Sequence, residues 1–522
     1  MADEEMNQED KTELKRLRAK HDHYLVFEDD WEFFANSYEG GRDAIDGNVF
    51  KHQRENEDDY NDRLKRANYL NYCQATVDFY TNFIFSDVIE RQGNSNNIWY
   101  QEFIKDVNKR GDNIDAFMTS LSNNGRIYGQ MYIMVDSTVL PVDVVTKQQE
   151  EEFGVRPYWI SICPLEVFDW ITDEFGKYLY IKRCYTKESI NSLGKKQRFE
   201  IYEEWEQDVI YESIIDVTST VKPIIVESRV PKVNNLGEIP IILIRYRTSK
   251  KYKDMGNSFL KDIAPTNRTI LNITSWIGEF LARQCFNILA RERESLLPLA
   301  SQDEGEIGTS NMLEYPKGAN VPSYITPPVA PGEYLQSERS ILINEIFRQA
   351  VQDVKSDLSN GEGSSGFSQA QTFSRTVPFI STWAQKLENT EHKLMRLTMK
   401  YTNKTWDGKV KYKDHYDITN VADAISHLLM LFKDLALPSK TFAITELKRL
   451  VIELDGKLSP EDLSKVYKEI DAINFDEWSK TIQQQKGSPA EQQKPKSTGT
   501  MSEIVSEAKV PSVGATKKLK GK

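Results

Sequence analysis

The sequence predicts an α+β fold, with helical segments on either side of a block of strands. Three observations carry that expectation. Apolar residues recur every three to four positions in several long segments. From roughly residue 125 to 247, β-branched and aromatic residues alternate with polar ones. A proline- and glycine-rich stretch and, later, the run "GEGSSG" at 361–366 break the helical period between the last long helices. At 522 residues the chain exceeds what one core organises, so several compact units are expected.

Taken in order, residues 1–37 are dense in charge and read as a charged N-terminal leader whose role the sequence leaves open. They contain no apolar run of the kind that directs secretion, so the chain is expected to remain in the cytoplasm where it is made. His21 and His23 could ligate a metal, but the sequence offers no third ligand at workable spacing, and a solvated pair is the expectation. From Tyr38 onward a glycine turn leads into helical spacing, with Tyr60, Leu64, Ala67, Tyr69, Leu70 and Val77 on one stripe. A second helix near 114–123 precedes "GRIYGQMYIMVDS", where the strand block begins; it ends in "IPIILIRYR".

Helix returns at 258–292, where Ile270, Ile273, Ile277, Leu281, Cys285 and Ile288 share a face and Pro265 should bend or delay the start. Residues 293–331 hold six prolines, so helix cannot persist there and a compact turn-and-strand insertion is expected. A further helix at 332–355 is marked by one face of Leu335, Leu342, Ile346 or Ile343, Phe347, Ala350, Val354 and Leu358. After the glycine-rich run, a long helix carries Phe373, Val377, Ile380, Ala384, Leu387, Leu394, Leu397 and Tyr401, with Pro378 predicting a kink. A short strand follows at "KVKYKDHYDIT". The last folded piece is helical, with Ser459 and Pro460 placed as N-cap and first helical residue, and the tail at 476–522 is expected to be disordered and locally basic.

Several function classes are disfavoured. A net charge of −12 argues against a protein that clamps nucleic acid, though not against one that DNA merely passes. Four widely spaced cysteines fit a reducing compartment and structural thiols. No run of 18 apolar residues suggests a membrane span, and no sequence signature of a serine hydrolase or zinc protease is present. The run at 361–366 matches G-x-G-x-x-G, but a phosphate loop follows a strand and here the approach has helical period. A flexible link between helices is the expectation, and neither catalysis nor a cofactor is.

This order of parts, together with "GGRDAIDGNVFKHQRENEDDYNDRLKRANYLN" around Arg54, Glu55, Tyr60 and Arg63, resembles the portal proteins of tailed double-stranded DNA bacteriophages over residues 38–475. The resemblance implies a portal-like fold: a mixed wing at 38–257, a first stem helix at 258–292, a clip at 293–331, a second stem helix at 332–355, a tunnel loop at 356–366, a long wing helix and strand at 367–419 and a helical crown at 420–475. It implies a homo-oligomeric ring of twelve subunits at one capsid vertex of the virion, assembled in the host cytoplasm. Double-stranded DNA would pass through that ring in both packaging and ejection. Terminase, tail or adaptor proteins and capsid protein would dock on it. DNA-facing positions would be Ser356, Asp357, Asn360, Gly361, Glu362, Gly363, Ser364, Ser365 and Gly366; docking positions would be Arg291, Arg293, Asp303, Glu304, Glu306 and Lys317. The alternatives are another structural virion protein, such as a capsid or adaptor component, and a nucleotide-binding enzyme using residues 361–366.

Overall fold

The computed structural model describes residues 8–93, 98–137, 156–219, 223–234, 236–284, 289–293, 312–316, 330–350, 376–402, 404–413, 444, 448 and 460–472. The chain divides into two compact units, Met1–Thr419 and Asn420–Lys522, and the fold class is α+β.

The first unit opens with α1 (Gln8–Arg18) and α2 (Asp22–Glu39). Acidic residues in the first turn of α1 and basic residues in its last turn complement the helix dipole. The charged N-terminal segment is helical and packs against the strand block. Leu14 and Leu17 of α1 are buried with Tyr202 and Ile215, and Tyr24 and Trp31 of α2 are buried with Tyr132, Met134 and Trp170. Part of the charge that suggested a leader, such as Lys11, Lys15 and Asp22, is exposed, and part, such as Arg16, is turned to the sheet.

Next come α3 (Gly41–Ile45), α4 (Glu57–Arg66) and α5 (Tyr72–Ile84). The single stripe expected from Tyr60 to Val77 is divided between α4 and α5. Asn71 ends the run by capping α5, its side chain accepting the Gln74 N–H at 2.9 Å. β1 (Glu90–Gln92), α6 (Ile98–Phe103) and α7 (Ile114–Ile127) follow, with Asn113 capping α7 through the Ala116 N–H at 2.8 Å.

The strand block comprises β2 (Gln130–Ser137), β3 (Pro157–Ile162), β4 (Val167–Thr172), β5 (Tyr178–Ile190), β6 (Lys196–Trp205), β7 (Val209–Asp216), β8 (Ile224–Val233) and β9 (Ile241–Arg245), forming two antiparallel sheets. One has the order β3-β2-β9; the other is the meander β4-β5-β6-β7-β8. Central β2 is buried on both faces. Met131, Ile133 and Val135 join one apolar cluster, while Tyr132 and Met134 join another, which is why its sequence is almost continuously apolar. At the far edge of the meander, β8 carries register shifts against β7 near Ile214, and Arg229 has a left-handed φ of 50°. The small pair β10 (Arg247–Thr248) and β11 (Gly256–Asn257) closes the block.

Beyond it lie α8 (Ile263–Gln284), β12 (Leu289–Arg293), β13 (Met312–Pro316), α9 (Ala330–Gln349), α10 (Val377–Tyr401) and β14 (Lys409–Lys411). Pro265 falls in the first turn of α8, where the missing N–H has no intrahelical partner to lose. Among the described residues α8 runs to Gln284, and residues 289–293, expected to be helical, are a strand. Among the described residues, α10 begins at Val377, so Pro378 occupies its first turn, a position that proline tolerates, rather than an interior position that would kink it. β14 pairs antiparallel with β1, tying the end of this unit to its early part.

α10 runs through the main core. Ile380, Trp383, Ala384, Leu387, Leu394, Met395 and Met399 are buried against α5, α7, β2 and β3. Its polar groups are matched across elements: the Trp383 ring N–H donates to Ser122 at 2.9 Å and the Trp159 ring N–H donates to Thr398 at 2.8 Å. Glu391 is fully buried, accepting from Arg91 at 2.6 Å and from the Tyr412 hydroxyl at 2.9 Å. Burial pushes the Glu391 carboxyl up, and the Arg91 guanidinium opposes that shift.

In the second unit, α11 (Pro460–Ala472) begins with proline, buries Ile470 and carries Asp471 2.7 Å from Lys448. Ser459 and the tail at 476–522 lie outside the described residues.

Two outcomes follow. Gly129 has φ 81°, and a methyl group there would overlap the peptide between Asn257 and Ser258. Gly129→Ala should therefore destabilise the first unit by about 3 kcal/mol or more in urea unfolding, because both backbone strain and overlap act at once. Glu391→Ala should cost about 3 kcal/mol by leaving Arg91, among the described residues, with the exposed Asp115 as its acidic partner, measured the same way.

Candidate functional site: a helix pair around a two-stranded insertion

α8 and α9 are neighbours in sequence but for the insertion that contains β12 and β13. Gly332, at the start of α9, lies so close to Phe280, near the end of α8, that a methyl group would sit 2.9 Å from its ring. At the other end, Ile346 and Ala350 share an apolar cluster with Ile263, Ala264 and Ile270 at the start of α8. The helices therefore run antiparallel, and the chain enters and leaves the insertion at one end of the pair. β12 and β13 are parallel, with Arg291 opposite Glu314 and Arg293 opposite Pro316 in the ladder.

The orientation of α8 is set by the segment at 48–66. Phe50 N–H donates to the Asn272 side chain at 2.8 Å, whose amide returns a bond to Asn48 O at 2.9 Å. Arg63, 2% exposed, forks onto both Glu55 oxygens at 2.7 Å and reaches Ser275 of α8 at 2.8 Å. Its remaining donation, to Phe50 O at 2.8 Å, ties the same loop down. Arg66 pairs with Glu279 one turn further along. The Arg63 guanidinium holds the Glu55 carboxyl down at about 2. Planar two-point pairing of this kind fixes direction as well as distance.

With that face engaged, α8 cannot also offer it to another subunit. Ile270, Ile273 and Ile277, on the face that the sequence marks as apolar, are also buried within this chain. The apolar residues left outside are Trp276 (42% exposed) and Leu281 (49%) on α8, and Tyr334 (69%) and Ile341 (57%) on α9. Helical periodicity alone could not separate these two sets, because an apolar residue reads the same on either side of a helix.

Of the residues singled out by sequence, Arg291 and Arg293 lie on β12. Asp303, Glu304, Glu306 and Lys317, and the whole run from Ser356 to Gly366, lie outside the described residues. The described chain leading towards that run, α9, is helical rather than extended. Between the ends of α9 and α10, Tyr246, Arg247, Lys261, Gln349 and Phe379 help line a cleft of about 300 Å³. Among the described residues, no helix is long and apolar enough to cross a membrane.

No protein-family model matches the chain, and no curated protein matches it. Solved structures with partial likeness include the neck of an empty gene transfer agent particle computed with C6 symmetry, at 11% identity and a TM-score of 0.38, over 72% of this chain and 89% of that one. A chain of the virion of a native gene transfer agent particle is 10% identical with a TM-score of 0.36, over the same shares. Values this low leave the functional reading to the residues themselves.

The Arg63–Glu55 fork makes a testable pH dependence. A carboxyl depressed from 4.5 to about 2 stabilises the folded state fully above 4.5, and that contribution is lost as pH falls towards 2. Urea midpoints measured across this window should fall less steeply for Glu55→Gln than for the unaltered chain. Equal slopes would mean that the fork does not contribute.

Proposed function

We propose that the chain is a portal-type subunit that assembles into a closed ring at a capsid vertex, forms the channel for double-stranded DNA, and presents its insertion to packaging and tail components. The observation that carries this reading is the antiparallel pair α8 and α9, with the parallel strands β12 and β13 in the segment between them and exposed apolar residues on both helices. A closed ring needs two different patches on each subunit that meet head to tail. Large exposed side chains such as Trp276 and Tyr334 are the kind that anchor such contacts.

The charge balance supports transit rather than capture. Each phosphate neutralised by a cation releases counterions and adds sequence-independent affinity, so a chain of net charge −12 suits a lining that does not hold DNA. In this reading the run from Ser356 to Gly366 faces the DNA. Arg291 and Arg293, with Asp303, Glu304, Glu306 and Lys317, belong to the surface that terminase or an adaptor would contact. Capsid protein would meet the outer body. The function is structural and needs no cofactor.

Negative-stain imaging of the purified chain is the direct test, with rings around a central hole as the expected result. Trp276→Asp should abolish rings while circular dichroism remains that of the folded subunit, since this side chain is outside the subunit's core. Closed shells, or a chain that stays monomeric at micromolar concentration, would assign it instead to a capsid or adaptor role. A nucleotide titration should show no binding.

A further inference from the structure

We propose that His21, His23 and Asp254 form a binding site for a divalent transition-metal cation, with Zn²⁺ the best match to two imidazoles and one carboxylate, and that the ion clamps α2 to the loop between β10 and β11. No third ligand for the histidine pair is legible in the sequence, because Asp254 lies 231 residues from His23. The fold supplies it.

One ligand atom from each of the three residues lies within 4.8 Å of the others. His23 Nδ1 is 2.8 and 2.9 Å from the two Asp254 oxygens, a contact that a shared hydrogen satisfies at present. Bonds of about 2.0–2.2 Å to a tetrahedral zinc set neighbouring donors about 3.3 Å apart, so His23 and Asp254 need to separate by roughly half an ångström. The ion would take the place of that hydrogen, which moves to Nε2 of a neutral ring, so that His23 binds as the Nε2–H tautomer. His21 Nδ1 now accepts the His23 N–H at 3.1 Å as the cap of α2, a long bond whose lone pair the cation would take over. Three protein ligands leave a further position for water.

The surroundings hold these groups in place without sealing them off. The His21 ring stacks on Trp170 with centroids 4.2 Å apart, and the Tyr252 ring meets His23 edge-on at 5.0 Å. The Trp170 ring N–H donates to Asp254 Oδ2 at 3.3 Å, and Arg245 donates to the Asp254 backbone oxygen at 2.8 Å. Supports of this kind orient ligands and raise affinity. The His23 and Asp254 side chains are 35% and 28% exposed, so an ion can reach them from solvent.

The test is calorimetric titration of the full-length, tag-free chain with ZnCl₂. One Zn²⁺ per chain should bind at low micromolar concentration or tighter and raise the thermal unfolding midpoint. His21→Gln and His23→Asn should each weaken binding at least about tenfold, the lower end of what even outer-shell losses cost, while His52→Asn leaves it unchanged. Co²⁺ bound to the unaltered chain should give the visible absorption of a four- or five-coordinate site, a readout that does not depend on any variant folding. Absence of stoichiometric binding to the unaltered chain, or binding that survives in both His21→Gln and His23→Asn, would overturn the proposal.

Discussion

Burial of α10 is the constraint on which the main unit depends. A helix placed between α5, α7 and the β3-β2-β9 sheet must have every polar group on its inner face answered, because an unpaired buried donor or acceptor costs about 1–3 kcal/mol. Here the answers come from four different elements. Ser122 of α7 meets Trp383, Trp159 of β3 meets Thr398, and Arg91 of β1 meets Glu391, which also receives Tyr412 just beyond β14. Apolar burial alone would tolerate a rotated or shifted helix. These bonds allow one rotation and one depth, and Gly125, where a methyl group would come within 2.9 Å of Trp383, marks how closely α7 approaches.

The same core sets the position of α8 and α9. Phe259 and Tyr246 pack edge-on with centroids 5.9 Å apart, and the Tyr80 hydroxyl donates to Ala350 O at the end of α9. From the other side, the loop and helix at 48–66 hold α8 by the Arg63–Glu55–Ser275 network. A buried guanidinium with both fork arms occupied has little freedom to reorient, so the outward direction of Trp276 follows from a network on the neighbouring turn. The surface proposed for assembly is thus prepared by bonds made inside the subunit.

The N-terminal helices are integral to the strand block. Arg16 reaches buried Glu204 on β6 at 2.6 Å, and the Lys182 ammonium on β5 donates to the Ala19 backbone oxygen at 2.6 Å, so α1 is fastened to the meander by charged groups that cross from helix to sheet. Cation and carboxylate are matched across more than 180 residues of sequence. That separation is why a stretch that reads as a charged leader becomes part of the fold.

Period and punctuation in the sequence were enough to determine the fold class, the strand block and the helices on either side of the proline-rich insertion. These depend on neighbours a few residues apart, where backbone geometry and side-chain spacing act directly. Tertiary structure alone decided the rest. It divided the stripe from Tyr60 to Val77 into two helices, made 289–293 a strand, turned Ile270, Ile273 and Ile277 inward while leaving Trp276 outside, and folded α1 and α2 onto the sheets. It also brought Asp254 to His23. Each of these outcomes turns on a partner distant in the chain, and neither periodicity nor composition records which side of a helix such a partner will occupy.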